Sequence, residues 1–300
     1  MPNDVQLCFN RRTMERVIIP EEDRFLNMLI LGPTGTGKSA QIITPLIYQD
    51  LMSSDCGITV FDPKEDLANN IYNIAKDFDN RKVIYVDPLD ELCPKINPLR
   101  GDMETVTKNM LKIFAPTFIL GSAIEKQNSD INRILIVKAI KLLKGFPMLT
   151  GDNLNFKTFN DFISNKHNEG RQKVSKLLET LKIQKNNSDY VELCEWFLGQ
   201  YFEPTTGIYD RCSYVRFKIE ELVSNRYLLN ILSPSPNETK IINFDEHLAY
   251  GDVVIINTRN TILGDLGKVF GEFLMLDYLN SVFRRFHYNK RNRIEKVLPN

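Results

Sequence analysis

Apolar residues along this chain keep two rhythms. Short, nearly all-apolar runs occur at Phe25-Leu26-Asn27-Met28-Leu29-Ile30-Leu31, Gly57-Ile58-Thr59-Val60-Phe61-Asp62, Lys82-Val83-Ile84-Tyr85-Val86-Asp87 and Asp252-Val253-Val254-Ile255-Ile256-Asn257. Each has the length of a strand buried on both faces. Helical patterns follow the first, second and fourth, at Ala40 to Met52, Leu67 to Phe78 and Gly267 to Phe286. Strands alternating with helices predict a mostly parallel sheet covered on both sides. Ahead of them, Val5 to Phe9 alternates, Asn10-Arg11-Arg12 turns and Glu15 to Ile19 extends to Pro20, which predicts an entry hairpin.

The rhythm changes after Pro98. From about Met103 to Leu232 no segment reads as a strand. Ser129-Asp130 is placed to cap a helix with Ile131, Ile134, Leu135, Val137, Ile140 and Leu143 on its apolar positions, and Gly145 is placed to stop it. Val174-Leu177-Leu178-Leu181 and Val215-Ile219-Leu222-Val223 repeat the spacing. The α/β pattern then resumes. The expected organisation is a discontinuous α/β domain, residues 1–102 and 241–300, interrupted by an all-α domain at 103–240. In the last helix apolar residues spread around much of the circumference, so deep burial is expected.

Chemistry concentrates at Gly32-Pro33-Thr34-Gly35-Thr36-Gly37-Lys38-Ser39, a complete G-x-x-x-x-G-K-[ST] loop between an expected strand and an expected helix. Its glycines let backbone N–H groups turn around an anion, and the helix N-terminus adds its dipole. Gly32 to Ser39 with Ala40 are the candidate nucleotide-binding residues, Lys38 for the β/γ-phosphates and Ser39 for Mg²⁺. Asp62 and Asp87 end strands. Asp62 is the better candidate to hold Mg²⁺ through water and so to share catalysis with Lys38, but it is equally placed to cap the next helix. Asp87, before Pro88, reads as a turn residue. Lys64, Arg284 and Arg285 are candidate phosphate or DNA contacts. The two arginines open a basic end that includes Lys290, Arg291, Arg293 and Lys296, with Phe286, His287 and Tyr288 interleaved. A solvated helix end explains that cluster as readily. Asn257-Thr258 either senses a γ-phosphate or serves its own loop.

Composition narrows the choice little. Formal charge is +0, so no global field points to nucleic acid or an anionic membrane. The five cysteines, Cys8, Cys56, Cys93, Cys194 and Cys212, show no C-x-x-C pair and read as reduced thiols. His167, His247 and His287 are scattered and read as packing or surface residues. No apolar run approaches the roughly 20 residues of a membrane span, and the start of the chain lacks a signal-peptide pattern.

Several segments together resemble the TraG/TraD-type coupling proteins of conjugation and type IV secretion. They are Leu31 to Ser39, Thr59-Val60-Phe61-Asp62-Pro63-Lys64-Glu65-Asp66-Leu67, Asn97-Pro98-Leu99, Leu248 with Gly251 to Thr258, Leu263-Gly264, Gly267-Lys268, Phe270-Gly271 and Phe283-Arg284-Arg285. Glu65 stands where that family usually has glycine. The resemblance implies a RecA-like P-loop NTPase of the FtsK/HerA kind, a homo-hexameric ring that uses ATP and Mg²⁺ to move DNA. It implies as partners a relaxase or secreted protein and the secretion channel at the inner membrane. The expected location is the cytoplasmic face of the membrane, without a transmembrane segment in this chain. The family's Asp-Glu strand is absent through Asn300, so the chain reads as a portion ending before it, with ATP bound and hydrolysis in doubt. Two other readings stay open: a P-loop kinase of a small metabolite, and a nucleotide-gated recruitment module without turnover.

Overall fold

The computed structural model describes residues 4–53, 57–79, 81–115, 123–184 and 188–292. In chain order its elements begin with β1 (Val5–Phe9), β2 (Arg16–Ile19) and α1 (Glu21–Arg24). A π-helical turn, Lys38–Ile43, leads into α2 (Thr44–Met52), then β3 (Ile58–Asp62), α3 (Asp66–Ala75) and β4 (Val83–Val86). Helices follow: α4 (Met103–Phe114), α5 (Ala123–Gly145), α6 (Phe156–Ile163), α7 (Glu169–Gln184), α8 (Ser188–Trp196), α9 (Ile208–Arg211), α10 (Ser213–Ser224) and α11 (Arg226–Leu232). The chain closes with α12 (Phe244–Tyr250), β5 (Val253–Asn257), α13 (Asn260–Leu263) and α14 (Asp265–Asn292). It divides into a sheet unit, residues 1–87, 243–271 and 281–300, and a helical unit, residues 88–242 and 272–280.

The sheet unit is built on β5. It lies between β3 and β4 and runs parallel to both, in the register Ile58↔Val253 through Asp62↔Asn257 and Val83↔Val253 through Val86↔Ile256. All five β5 residues are buried, which is what a run of Val, Ile and Asn without alternation requires of a central parallel strand. Val253 and Ile255 pack with Leu51, Ile58, Val60, Ala68, Ile71 and Ala75 in one apolar cluster that holds α2 and α3 on the sheet. Each such aliphatic side chain contributes about 1.5–3 kcal/mol when fully buried. Two residues before Leu51, the Gln49 side chain pairs with both backbone groups of Gln6, accepting its N–H at 2.7 Å and donating to its carbonyl at 2.9 Å. That clasp falls where the β1–β2 hairpin has its bulge, between Gln6 and Cys8.

Three expectations are corrected. Phe25 to Leu31 starts in the turn that closes α1 and forms no ladder with a described strand, and Phe25, Leu26, Met28, Leu29 and Leu31 are exposed, Phe25 at 85 % and Leu31 at 80 %. A strand exists only where a neighbour accepts its backbone hydrogen bonds, and none does here. Ser129-Asp130 lies inside α5, which already begins at Ala123; Ala123, Glu125, Lys126 and Gln127 ahead of it are good helix formers, and the helix runs through the cap signal. In α14, Phe270, Phe273 and Leu274 are buried, but Met275, Leu279 and Phe283 are exposed. One stripe is covered rather than the whole circumference.

The helical unit packs an apolar stripe of α5, including Leu135, Ile136, Ala139 and Leu143, with Phe156 and Phe159 of α6 among its buried side chains. An Asn155–Thr158 capping box starts α6. Phe156 also meets Phe273 edge-on, with centroids 5.1 Å apart. The buried Tyr201 hydroxyl donates to the carbonyl of Ile163 at 2.6 Å, which satisfies its one polar atom. Among the described residues no helix is long and apolar enough to cross a membrane.

Cys8, Cys93, Cys194 and Cys212 are free thiols; Cys56 lies outside the described residues. Burial pushes the Cys194 thiol up to about 11 and that of Cys212 up to about 12. A thiol whose pKa is raised stays protonated and inert at mild alkaline pH. Brief iodoacetamide treatment at pH 8 is therefore expected to modify exposed Cys8 and spare Cys93, Cys194 and Cys212, as mapped by peptide mass spectrometry; rapid labelling of Cys212 would contradict the packing.

Close packing at the start of α14 gives a second test. A Cβ on Gly267 would sit 2.6 Å from the Thr258 carbonyl oxygen and 2.7 Å from Asn260 Oδ1. Gly267→Ala is expected to lower stability by about 1–3 kcal/mol through overpacking. Gly199→Ala meets nothing within 4 Å and is expected to be neutral or slightly stabilising, both read by urea unfolding.

Candidate functional site

The glycine loop has the local geometry its residue types dictate. Gly35 and Gly37 take φ of 82° and 81°, a region that favours glycine. A Cβ at Gly35 would meet nothing within 4 Å, so the loop leaves open space at that position, whereas one at Gly37 would come within 2.9 Å of the Gln41 side chain. Thr36 Oγ1 donates to the Pro33 carbonyl at 2.8 Å and braces the loop. Lys38 Nζ donates to the carbonyls of Gly32 and Pro33 at 2.7 and 2.8 Å. The ammonium is thus held over the loop, on neutral acceptors that a phosphate oxygen would outcompete.

Behind the loop, the first intrahelical bond runs from Gln41 N–H to the Gly37 carbonyl at 2.7 Å. The N–H groups of Lys38, Ser39 and Ala40 precede it, as donors at a helix start do. The turn is π-helical because of Pro45. Proline has no N–H to give the Gln41 carbonyl, and the turn widens so that Thr44 N–H reaches the Ser39 carbonyl. Ser39 and Ala40 are exposed. An open position at Gly35, a lysine over the loop, an exposed hydroxyl at Ser39 and a helix start together make a donor set whose chemistry suits phosphate oxygens. Among the described residues no group of His, Cys, Asp and Glu forms a metal cluster of its own.

The other candidates are spent differently. Asp62, buried at the end of β3, accepts the backbone N–H of Lys64 through Oδ1 and of Ala68 through Oδ2, both at 2.9 Å. Its carboxylate organises the Asp62–Glu65 turn and the start of α3, which is the capping role that the sequence left open beside metal binding. Lys64, within that turn, is exposed. Asn257 is fully buried, donating to the Tyr85 hydroxyl at 3.3 Å and accepting Arg259 N–H at 3.1 Å; Thr258 donates its hydroxyl to Asn260 at 2.7 Å. Thr258 serves its own loop, and Asn257 joins that loop to β4. Arg284 is paired with Asp245, Nε–Oδ1 3.1 Å and Nη2–Oδ2 2.9 Å, and Arg285 donates to the Leu248 carbonyl at 2.5 Å. These two arginines tie α14 to α12. Phe286, His287, Tyr288, Lys290 and Arg291 have no described side chains, and Arg293 and Lys296 lie outside the described residues.

Sequence reasoning missed Arg259. It stands directly after β5 at φ 52°, gripping Asp87 by Nε–Oδ1 at 3.0 Å and Nη2–Oδ2 at 2.5 Å and pairing with Glu65 through Nη1. The Asp87 hydrogen bonds are the main reason its guanidinium is held above the ordinary arginine range. Asp87 is therefore an ion-pair partner as well as the residue before Pro88. Glu65 sits at φ 80°, which accounts for glycine being comfortable there. Nothing in the sequence signals a pairing between residues 172 positions apart.

These features define an α/β protein with a parallel sheet and a phosphate-binding-loop signature running into a helix. The model of the type IV secretory system conjugative DNA transfer family matches residues 15–197. The match spans more than half of the chain, and the chain belongs to that family. Membership implies DNA and the type IV secretion machinery as partners. The later block from Leu248 to Arg285 lies beyond the matched range. No curated protein matches the chain.

The Asp62 geometry can be tested directly. Asp62→Ala strips two backbone donors of their acceptor and is expected to cost about 1–3 kcal/mol. Chemical denaturation with and without Mg²⁺ reads it: equal loss in both supports capping, and a loss confined to Mg²⁺ would favour a metal role.

Proposed function

We propose that this chain is the nucleotide-binding part of an ATP-driven coupling motor that links DNA to the secretion channel in conjugative transfer. The observation that carries the reading is the loop: Lys38 held over the Gly32 and Pro33 carbonyls, with Gly35 and Gly37 in left-handed geometry, in a chain of the conjugative DNA transfer family. Lys38 exchanges its two carbonyl acceptors for β/γ-phosphate oxygens, Ser39 supplies the Mg²⁺ hydroxyl, and the N–H groups of residues 35–40 surround the phosphates. Asp62 acts from the adjoining strand end through the turn that it organises. ATP and Mg²⁺ are the cofactors of this reading. A homo-hexameric ring, with a relaxase or secreted protein as cargo at the cytoplasmic face of the membrane, is its expected assembly. Lys64 contacts DNA or phosphate. Arg284 is partly neutralised by Asp245, so it and Arg285 contribute to DNA binding only through their exposed faces.

Two measurements test the reading. Fluorescent ATP analogue binding is expected to weaken by at least about tenfold in Lys38→Ala, the loss of one charge-assisted contact. ATP turnover, measured with and without single- and double-stranded DNA, is expected to rise with DNA and to vanish in that variant. Binding without turnover would instead identify a nucleotide-gated recruitment module, and phosphate transfer to a small acceptor would identify a kinase.

A further inference from the structure

The ends of β3, β4 and β5 carry a closed circuit of hydrogen bonds that the glycine loop does not use. Arg259 Nη1 pairs with one Glu65 oxygen, and the other accepts from Asn69 Nδ2 at 3.1 Å. Asn69 Oδ1 accepts from the Tyr85 hydroxyl at 2.5 Å, and Tyr85 accepts from Asn257 Nδ2 at 3.3 Å. Asn257 Oδ1 accepts the backbone N–H of Arg259 at 3.1 Å, which closes the ring. The same guanidinium holds Asp87 with two further N–H groups.

Two features give this circuit a direction. The Asp87 side chain is 7 % exposed and gripped on both oxygens, whereas Glu65 is 31 % exposed and held by one Nη. The Glu65 arm is the one that yields first, since a two-pronged buried pair is the stronger. Glu65 and Arg259 are also both held in left-handed backbone geometry, which side chains tolerate only where their surroundings enforce it. The two arms lead to different places. Glu65 follows Lys64 in the turn organised by Asp62, and Asp87 is the last residue of the sheet unit before the chain enters the helical unit at Pro88.

We propose that Arg259 is a positioning residue that makes the Asp62–Glu65 turn and the chain exit at Asp87 respond as one body. A guanidinium this enclosed cannot lose one carboxylate without shifting on the other. A displacement of the turn is therefore passed to Asp87 through one side chain. The inference rests on the proposed function only for its natural trigger, a nucleotide phosphate reaching the turn.

Hydrogen–deuterium exchange on the whole chain tests it, read in peptides covering residues 60–68 and 83–90. Glu65→Gln, which removes the charge but keeps the shape, is expected to speed exchange about tenfold in both peptides, the loss of one charge-assisted hydrogen bond. In an Arg259→Ala background the same change is expected to alter 60–68 only. A merely structural arginine would give additive effects, and acceleration confined to 60–68 in the Arg259 protein would overturn the proposal. If Arg259→Ala does not fold, Arg259→Lys replaces it, because an ammonium cannot hold both carboxylates in this fork. With Mg²⁺ and ATP added to the unsubstituted chain, both peptides are expected to slow together. A response at 60–68 alone would also overturn the link. No response in either peptide, with the Glu65→Gln coupling intact, would count against the nucleotide trigger and leave the positioning role standing.

Discussion

The parallel pairing of β5 with β3 on one side and β4 on the other is the constraint on which the sheet unit rests. A fully buried strand must place every N–H and C=O in a ladder, and β5 does so only in one register. That register sets Asp62 opposite Asn257 and brings the end of β4 to the same edge. The pairing continues past the strands, with Thr258 N–H on the Asp62 carbonyl at 3.1 Å and Asn260 N–H on the Pro63 carbonyl at 3.2 Å. Polar side chains that are far apart in sequence thereby meet at the carboxyl end of the sheet, the edge at which open α/β sheets bind ligands.

The glycine loop is organised differently. Its bonds span few residues: Thr36 to Pro33, Lys38 to Gly32 and Pro33, Gln41 to Gly37. Such a loop needs little of the sheet to take its shape, and it forms next to a segment, Phe25 to Leu31, that no described strand pairs. Local chemistry and long-range pairing thus divide the unit between them. The loop gathers a lysine, a hydroxyl and the N–H groups of a helix start, and the strand ends hold a network of carboxylates, amides and one arginine.

How much could be read in advance follows the same division. β3, β4 and β5 were legible because continuous apolar runs leave few alternatives to a buried parallel strand, and α5, α7 and α10 were legible from their spacing. Phe25 to Leu31 carries as good an apolar run, but pairing belongs to two strands and a run describes only one. Asp62 was legible as a strand-end carboxylate with two roles; the positions of Lys64 N–H and Ala68 N–H, 2.9 Å from its oxygens, show the capping role. Arg284 and Arg285 looked like a basic surface because their partners, Asp245 and the Leu248 carbonyl, lie on another helix.

By itself the sequence determined the loop, its lysine and serine, the alternation of strands and helices, and the family resemblance. Each depends on residue type at short spacing, where backbone sterics and hydrogen-bond reach decide the outcome. Only the tertiary structure decided that Arg259 joins Glu65 to Asp87, that Asn257 turns inward to Tyr85, and that Leu31 stands exposed. Those outcomes depend on which strands meet and in what register, and a charge or an amide carries no record in the sequence of the partner that folding will bring to it.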